Sequence, residues 1–288
     1  MMSIYLLQSF LARAWKCRLI QTYGLLVLIF NSFLISSTYY VDATGTDNPS
    51  CSQTDPCLHI QTAIDLTEDG DIVRVLAGTY YENIFLRTAI TLQSDDPLDP
   101  AVIDGSTPND NDLGSCIVIK TPSGRRSRIS ATIEDIAMTG GKGTVIIEDS
   151  NKDGVFDVGS GDIEKKVGGG IIIADANLTS RKNKLIVNGG SDTDEGGAFY
   201  AIGTGGGVPD PDPQFPPGPD DDERSNDERS YIVFEETIFS GNDAQIGHTV
   251  MVNGWNPENQ FIDMDFGNSR FDCAFDSDNN ELDGVSEY

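Results

Sequence analysis

The chain has 288 residues, 46 of them acidic and 19 basic, so its formal net charge at pH 7 is −27. Nucleic acids and anionic lipid surfaces are bound by basic faces, and this charge argues against both as partners. The two histidines are too few for a histidine-rich zinc or haem centre. The 30 glycines and the many short β-branched runs favour a turn-dense β protein.

Residues 1–37 form a separate targeting segment. Three basic residues, Arg13, Lys16 and Arg18, precede the apolar run 24–35, which small polar residues follow. This order is typical of a secretory signal peptide, and the run is shorter than the roughly 20 residues of a membrane-spanning helix. We therefore expect a secreted or cell-surface protein whose mature chain begins near residue 38. An uncleaved membrane anchor is the alternative.

The cysteines become candidates for disulfides in an exported protein. Cys51 and Cys57 flank a short polar loop, and we expect them to pair with each other. Of the other three cysteines, Cys17 lies in the targeting segment, and the sequence leaves open whether Cys116 and Cys273 pair or stay free.

The predicted elements are one helix and a series of short strands. The helix is amphipathic, covers 58–66 and ends before Gly70. The strands are short apolar runs, most of them bounded by Gly, Asp, Asn or Ser. They are 72–76, 90–92, 101–103, 116–119, 131–133, 144–147, 170–173, 184–187, 198–202, 231–234, 249–252 and 261–264.

Two sequence units alternate along these strands. The first is Ile-x-x-Ile-x-Met-x-Gly-Gly at 133–141, whose ending recurs in related form at 185–190 and 238–242. The second is Gly-Gly followed by Gly or Ala and apolar residues, at 168–172 and 196–200. Repeats of this size with glycine turns predict a solenoid, in which inward aliphatic side chains of successive turns stack. A β-sandwich is the alternative fold.

Four further motifs open the exported region: Tyr-Tyr-Val-Asp-Ala-Thr-Gly at 39–45, Ile-Gln-x-Ala-Ile at 60–64, Gly-Asp-Ile-Val-Arg-Val at 70–75 and Gly-Thr-Tyr-x-Glu-Asn-Ile at 78–84. These motifs resemble the opening of secreted right-handed parallel β-helix proteins of the pectin-lyase-like superfamily. The Ile-Asp-Gly turn at 103–105 and the Gly-Gly-Gly/Ala units are similar to the polymorphic outer-membrane-type repeats of that group.

The resemblance implies an all-β fold, a right-handed parallel β-helix over 38–288, with the helix at 58–66 as its N-terminal cap. A cap is needed because an open solenoid end exposes strand edges. The C-terminal end shows no such pattern, so we expect an incomplete C-terminus or a solenoid that a partner continues. The superfamily contains lyases, hydrolases and adhesins, so the fold leaves the activity open.

One acidic segment resembles a calcium loop of the EF-hand type, with oxygen ligands at positions 1, 3, 5, 7 and 9 and glycine at position 6. Position 12 is Ser160 where an EF-hand has glutamate, and flanking helices are not predicted. We expect either a calcium site on a β scaffold or a solvated acidic turn. The ligands would be Asp149, Asn151, Asp153, the Val155 carbonyl and Asp157.

Two other acidic clusters are weaker candidates for calcium. The first has similar spacing without the glycine and consists of Asp276, Asp278, Asn280 and Asp283. The second consists of Asp192, Asp194 and Glu195 beside a glycine turn. Clustered carboxylates repel one another, and a divalent cation removes that repulsion, so calcium would raise the melting temperature.

An acidic, proline-rich segment covers 208–230, with six prolines and eight acidic residues against two arginines. Its composition gives it too little apolar surface to order itself, so we expect a loop inserted between turns of the solenoid. A lid or a partner-binding arm is the alternative.

The candidate catalytic residues do not form a complete motif. A polysaccharide lyase would need a base, for which Lys142 and Arg87 are candidates, beside carboxylates such as Asp192, Asp194 and Glu195. The arginines at 125, 126 and 128 are further candidates for the base, but they follow a Pro-Ser-Gly turn and are expected in a solvated turn. We therefore expect a non-catalytic platform that binds an extracellular polysaccharide or surface glycan, with a polysaccharide lyase or glycoside hydrolase as the alternative.

Overall fold

The computed structural model describes residues 36–107, 113–122, 125, 127–148, 161–202, 230–253 and 262–272. Within these ranges the protein is mostly β, with parallel sheets and almost no helix, which confirms the all-β prediction. None of the helical structure in this part is long and apolar enough to cross a membrane. The predictions at 1–35, 149–157, 208–229 and 276–283 fall outside the described residues.

The elements found are one short helix, α1 (Ile60–Ile64), and twenty strands. In chain order the strands are β1 (Thr38–Thr46), β2 (Ile72–Val75), β3 (Thr79–Tyr80), β4 (Ile84–Leu86), β5 (Thr91–Ser94), β6 (Val102–Asp104), β7 (Ile117–Lys120), β8 (Ser130–Glu134), β9 (Ala137–Thr139), β10 (Thr144–Glu148), β11 (Ile163–Val167), β12 (Ile171–Ala174), β13 (Asn177–Arg181), β14 (Lys184–Ile186), β15 (Phe199–Ile202), β16 (Ser230–Glu235), β17 (Ile238–Ser240), β18 (Val250–Asn253), β19 (Ile262–Asp265) and β20 (Arg270–Asp272).

Three parallel sheets contain all but two of these strands. Sheet 1 has the order β1-β2-β5-β8-β13-β16-β19, sheet 2 has β20-β17-β14-β9-β6-β3, and sheet 3 has β18-β15-β12-β7-β4. From β2 onwards successive strands enter sheets 1, 2 and 3 in turn, as in β2-β3-β4 and β5-β6-β7. The exception is the antiparallel pair β10-β11, which lies between β9 and β12.

The main core lies between the inner faces of the three sheets. In sheet 1 the register aligns Val73, Leu92 and Ile133, which are all fully buried. In sheet 2 it aligns Met138 and Leu185, again fully buried. Matched rows of aliphatic side chains therefore stack from strand to strand and belong to one apolar cluster.

Glycine is required where neighbouring Gly-Gly segments pass over one another. A side-chain carbon on Gly169 would collide with the backbone of Gly197 and Gly141, and one on Gly197 would collide with the backbone of His248 and Asp243. The repeated glycines found in the sequence therefore permit close backbone stacking, which any larger residue would prevent.

The helix is shorter than predicted. It begins at Ile60, where the carboxylate of Glu82 accepts hydrogen bonds from the backbone N–H groups of Ile60 and Gln61, at 3.0 and 3.1 Å. It ends at Ile64 rather than near Gly70, and the hydroxyl of Thr67 donates to the Ile64 carbonyl. A distant glutamate thus supplies the N-terminal acceptor that the local sequence lacks.

The predicted strand at 144–147 exists, but it does not join the parallel sheets. As β10 it pairs antiparallel with β11, which the sequence pattern did not predict. Ile146 from β10 and Val167 from β11 are buried in a second apolar cluster together with Phe85, Ile172 and Tyr200 of sheet 3. The β10-β11 hairpin therefore covers part of the outer face of sheet 3.

The described cysteines have two different states. Cys51 and Cys57 form a disulfide. Cys116 is a free, fully buried thiol that donates a hydrogen bond to the Thr139 carbonyl. Burial raises the pKa of this thiol to about 12, so it stays protonated and unreactive at neutral pH. Cys273 lies outside the described residues.

Candidate functional site

The two candidate bases occupy different surroundings. Lys142 is exposed in the connection between β9 and β10, and its carbonyl accepts a hydrogen bond from the Thr193 hydroxyl at 3.0 Å. Lys142 thus lies beside the acidic turn 192–195. Arg87 follows β4, and its guanidinium carbon lies 5.0 Å from the centre of the Phe85 ring. This cation–π contact gives Arg87 a packing role.

The three carboxylates of the acidic turn 192–195 have separate contacts. Asp192 is exposed, and its nearest described partner is the Ser191 hydroxyl at 3.4 Å. Asp194 accepts hydrogen bonds from the Lys166 backbone N–H at 2.8 Å and the Gln245 amide at 3.2 Å. Among the residues that the structure describes, no group of three or more His, Cys, Asp or Glu side chains is arranged to hold a metal ion.

Glu195, the third carboxylate, is buried in an ion-paired triad. The ammonium of Lys165 lies 2.7 Å from Glu195 Oε1 and 2.5 Å from Glu148 Oε2. Burial alone would lower the pKa of Lys165, but hydrogen bonds from its ammonium to both carboxylates raise it overall. Lys165 therefore stays protonated, and the triad ties the β10-β11 hairpin to the acidic turn 192–195. Glu195 Oε2 is buried without a hydrogen-bond partner.

Arg125 and Arg128, the two described arginines of the segment 125–128, both form ion pairs with aspartates. Arg125 pairs with Asp69, and Arg128 lies 2.6 Å from Asp175, with both side chains of that second pair under 10% exposed. The expectation of a solvated turn is therefore wrong for Arg128, because Asp175 from the β12–β13 connection provides a buried partner. Burial alone would raise the pKa of Asp69, but hydrogen bonds from Arg125 and from the Ala89 N–H lower it. Arg126 lies outside the described residues.

The outer face of sheet 1 carries side chains that the sequence did not single out. Along its strands alternate side chains enter the core, and those between them are half-buried or exposed. The parallel register sets outward residues of neighbouring strands side by side. The first such row, here called the threonine column, consists of Thr38, Ile72, Thr91, Thr132, Thr179 and Val233.

A second row lies two residues further along the same strands. This charged column consists of Tyr40, Arg74, Gln93, Glu134, Arg181 and Glu235. Neighbouring strands lie about 4.8 Å apart, so six strands present a surface roughly 24 Å long. The two columns give this face a regular supply of hydroxyl, amide and charged groups.

The arginines of the charged column are paired within the surface. Arg181 Nε lies 2.7 Å from Glu235 Oε2 on the next strand, and the hydrogen bond to this carboxylate raises the pKa of Arg181. Arg74 lies 3.1 Å from Asp95, which follows β5. Both guanidinium groups are thereby paired with carboxylates on an adjacent strand or at its end.

Asn177 and Tyr231 extend the face at the start of their strands. The Asn177 side chain accepts a hydrogen bond from the Tyr231 N–H at 2.8 Å and donates one to the Ser130 hydroxyl at 3.1 Å. The Tyr231 ring is left 55% exposed. An exposed ring of this size on a hydrogen-bonding surface is a typical contact for a ligand.

The geometry suits an extended ligand that crosses the strands. Small-molecule sites are concave and bury most of their ligand, whereas this face repeats the same two positions on six consecutive strands. A polymer lying along the columns would meet one outward residue of each column at every strand, with hydroxyl groups on the three consecutive strands β5, β8 and β13. The signal in the sequence is the alternation within each strand, as in Thr91-Leu-Gln93 and Thr132-Ile-Glu134, but only the register shows that these residues align.

No family model, curated protein or solved structure matches the chain.

Proposed function

We propose that the chain is an exported, non-catalytic binding platform for polysaccharide or surface glycan, and that the outer face of sheet 1 is its binding surface. The sheets would wind as a right-handed parallel β-helix of the pectin-lyase-like type. The cyclic entry of strands into sheets 1, 2 and 3 supports this winding, because each turn of such a helix gives one strand to each sheet. The net charge of −27 suits an exported protein that avoids nucleic acid and anionic lipid.

The observation that carries the binding proposal is the pair of aligned columns on sheet 1. Sugars are bound through hydrogen bonds to their hydroxyl groups and through aromatic rings that stack on their apolar faces. Hydroxyls of the threonine column, the Gln93 amide and the exposed ring of Tyr231 provide these groups on one surface.

The proposal also includes a calcium site and a partner or further chain that continues the sheets. The loop 149–157 directly follows Glu148, the last residue of β10, so a calcium ion there would stiffen the end of the β10-β11 hairpin. A partner or a continuation of the solenoid would add strands next to β18, β19 and β20, the last strands described in their sheets.

A polysaccharide lyase or hydrolase is the second candidate function. The observation that favours it is the placement of exposed Lys142 beside the acidic turn 192–195. In this alternative Lys142 would act as the base and Asp192 or Asp194 would contact the substrate. Lys165 is a poor base because its carboxylate partners keep it protonated.

The test is a binding and depolymerisation experiment on the purified protein, with calcium and with chelator. We expect retention of at least one polysaccharide in affinity electrophoresis and no new reducing or unsaturated ends. Thr132→Asp and Gln93→Ala on sheet 1 should each weaken retention about fivefold, since each hydrogen-bonding contact contributes roughly 1 kcal/mol. Lys184→Ala, at an exposed position of sheet 2, is the matched control and should bind normally.

Two results would count against binding by this face. Retention that is equal in all variants would place the ligand elsewhere. Formation of unsaturated or reducing ends, abolished by Lys142→Ala, would establish the enzyme instead.

A further inference from the structure

We infer that the ligand of the sheet 1 face is an uncharged, extended polysaccharide. This inference rests on the proposed function and names its ligand class. It follows from the ion pairs on the outer face of sheet 1, from the net charge of the whole chain, and from the uncharged groups on the same face.

The cations of this face have carboxylate partners of their own. Arg181 lies 2.7 Å from Glu235 and Arg74 lies 3.1 Å from Asp95. A uronate or sulfate group on a glycan would have to displace one of these carboxylates from its arginine and would then lie next to it. Like charges at such distances repel, so the exchange gives no net gain in Coulomb energy.

Glu134 strengthens this bias against anionic glycans. It lies beside Arg181 in the register and its charge contributes to the raised pKa of Arg181. The arginine therefore faces carboxylates on both neighbouring strands, Glu134 on β8 and Glu235 on β16. A polyanion approaching this surface also meets the field of a chain with a net charge of −27, which raises the barrier to encounter at low salt.

Cationic polymers gain little from two of the carboxylates on this face, because Asp95 and Glu235 already hold arginines. Asp95 and Glu235 are both ion-paired, and a polyamine would compete with a guanidinium that the sheet holds in place.

Apart from Glu134, the groups that this face offers on β5 to β16 outside the ion pairs are uncharged. They are the half-buried hydroxyls of Thr91, Thr132 and Thr179, which lie in register on consecutive strands, the amide of Gln93, and the exposed ring of Tyr231. Hydroxyls both donate and accept, as sugar hydroxyls do, and a tyrosine ring packs on a pyranose face without needing a charge. The outer face of sheet 1 therefore matches a neutral polymer that runs across the strands.

The experiment compares three polymers of different charge against the full chain: hydroxyethyl cellulose as the neutral probe, polygalacturonate as the anionic probe and chitosan as the cationic probe. Affinity electrophoresis or calorimetry is run at low and at high salt. We expect the neutral polymer to bind with an affinity that salt changes by less than about twofold, since no ion pair is formed. At high salt the long-range attraction of chitosan and the long-range repulsion of polygalacturonate are both screened, and both polymers should then bind at least about tenfold more weakly than the neutral polymer.

Two variants separate ring stacking from charge. Tyr231→Ala should weaken binding of the neutral polymer about tenfold, the effect of losing one stacked ring. Arg74→Gln combined with Arg181→Gln should weaken binding of the neutral polymer less than Tyr231→Ala does, because both arginines are engaged with protein carboxylates, and Lys184→Ala on sheet 2 should leave it unchanged. Circular dichroism and unfolding curves confirm that each variant is folded.

The outcomes distinguish this inference from the proposed function. Tight, salt-sensitive binding of polygalacturonate that the double arginine variant abolishes would overturn the neutral ligand and keep glycan binding. Binding of chitosan that stays tighter than that of the neutral polymer at high salt would also overturn the neutral ligand and keep glycan binding. Binding of none of the three polymers, or of any glycan in a wider panel, would overturn the proposed function itself.

Discussion

Sheet 1 and sheet 3 have similar inner faces and opposite outer faces. The outward row of sheet 1 is half-exposed and polar, whereas that of sheet 3 is apolar and aligns Phe85, Val118, Ile172, Tyr200 and Met251. Four of those five side chains are buried, and the described residues that cover them include Leu113, Ile146 and Val167. The outward residues thus decide whether a parallel sheet acquires a second core or remains available to a ligand.

The difference is visible along each strand. Strands of sheet 3 are continuous apolar runs such as Ile-Ile-Ile-Ala in β12, while strands of sheet 1 alternate, as in Thr-Leu-Gln-Ser of β5. A strand buried on both faces has no position at which a polar residue is tolerated without a partner. The continuous runs therefore mark the covered sheet and the alternating runs mark the open one.

The largest expected difference in the free energy of unfolding is between alanine variants of two tyrosines, one on each of these faces. Tyr200→Ala removes a fully buried ring from the second core and should lower the free energy of unfolding by about 3 kcal/mol or more. Tyr231→Ala removes a ring that is 55% exposed and should cost less than about 1 kcal/mol. Urea unfolding curves of the two variants measure the difference. Equal losses would show that the two faces do not differ in burial.

A smaller difference in stability is expected between variants of two basic residues, Lys165 at the β10-β11 hairpin and Arg181 on the outer face of sheet 1. Lys165→Met leaves buried Glu195 next to Glu148 without a counter-charge and should destabilise the protein by about 2 kcal/mol. Arg181→Met breaks an exposed pair with Glu235 and should cost less than about 1 kcal/mol.

Two controls test the origin of the Lys165 effect. Lys166→Met changes the neighbouring residue of the same strand, whose contact with Asp194 is made by the backbone, and should have little effect. Adding Glu195→Gln to Lys165→Met should recover part of the lost stability, because it removes the unpaired charge. Without such recovery, the destabilisation would have to come from lost packing of the lysine stem.

Much of the all-β fold could be predicted because most strands carry an apolar run that flanking turn residues delimit. β13 was missed since one of its inward positions is Ser180, which is fully buried and hydrogen-bonds with Thr237 and Asn183 in place of an apolar contact. β3, with two residues, is too short to show a period. The partner of β10 was missed because β11, Ile-Glu-Lys-Lys-Val, has charged residues at its centre.

The candidate site was harder to predict than the fold, because it depends on register between distant segments. Gln93 and Glu134 are neighbours only after β5 and β8 pair, and Lys165 meets Glu195 30 residues further along the chain. The sequence singled out Lys142 as a candidate base but gave no indication that it adjoins Thr193. Local patterns specify which residues face outward, while strand pairing decides which of them form a surface.

The smallest expected effect is a pH dependence of the stability that protonated Lys165 gives to the β10-β11 hairpin. The carboxylates of Glu148 and Glu195 raise the pKa of Lys165 above its ordinary 10.5, against the opposing effect of burial. The stabilisation is therefore complete below about pH 10 and is lost as pH rises through the raised pKa of the folded state. Burial also raises the pKa of Tyr80, so a general alkaline loss is superimposed on the local one.

Comparison of variants isolates the lysine contribution. Between pH 9 and pH 12 the wild-type protein should lose about 1 kcal/mol more than Lys165→Met, because the variant has no ammonium to titrate. Arg181→Met should lose as much as wild type, since Arg181 remains charged throughout this range. The protection factors of the Ile146 and Val167 amides, which correct for the base-catalysed intrinsic exchange rate, should fall more over this interval in wild type than in Lys165→Met. An identical alkaline loss in Lys165→Met would mean that the triad does not hold the hairpin over sheet 3.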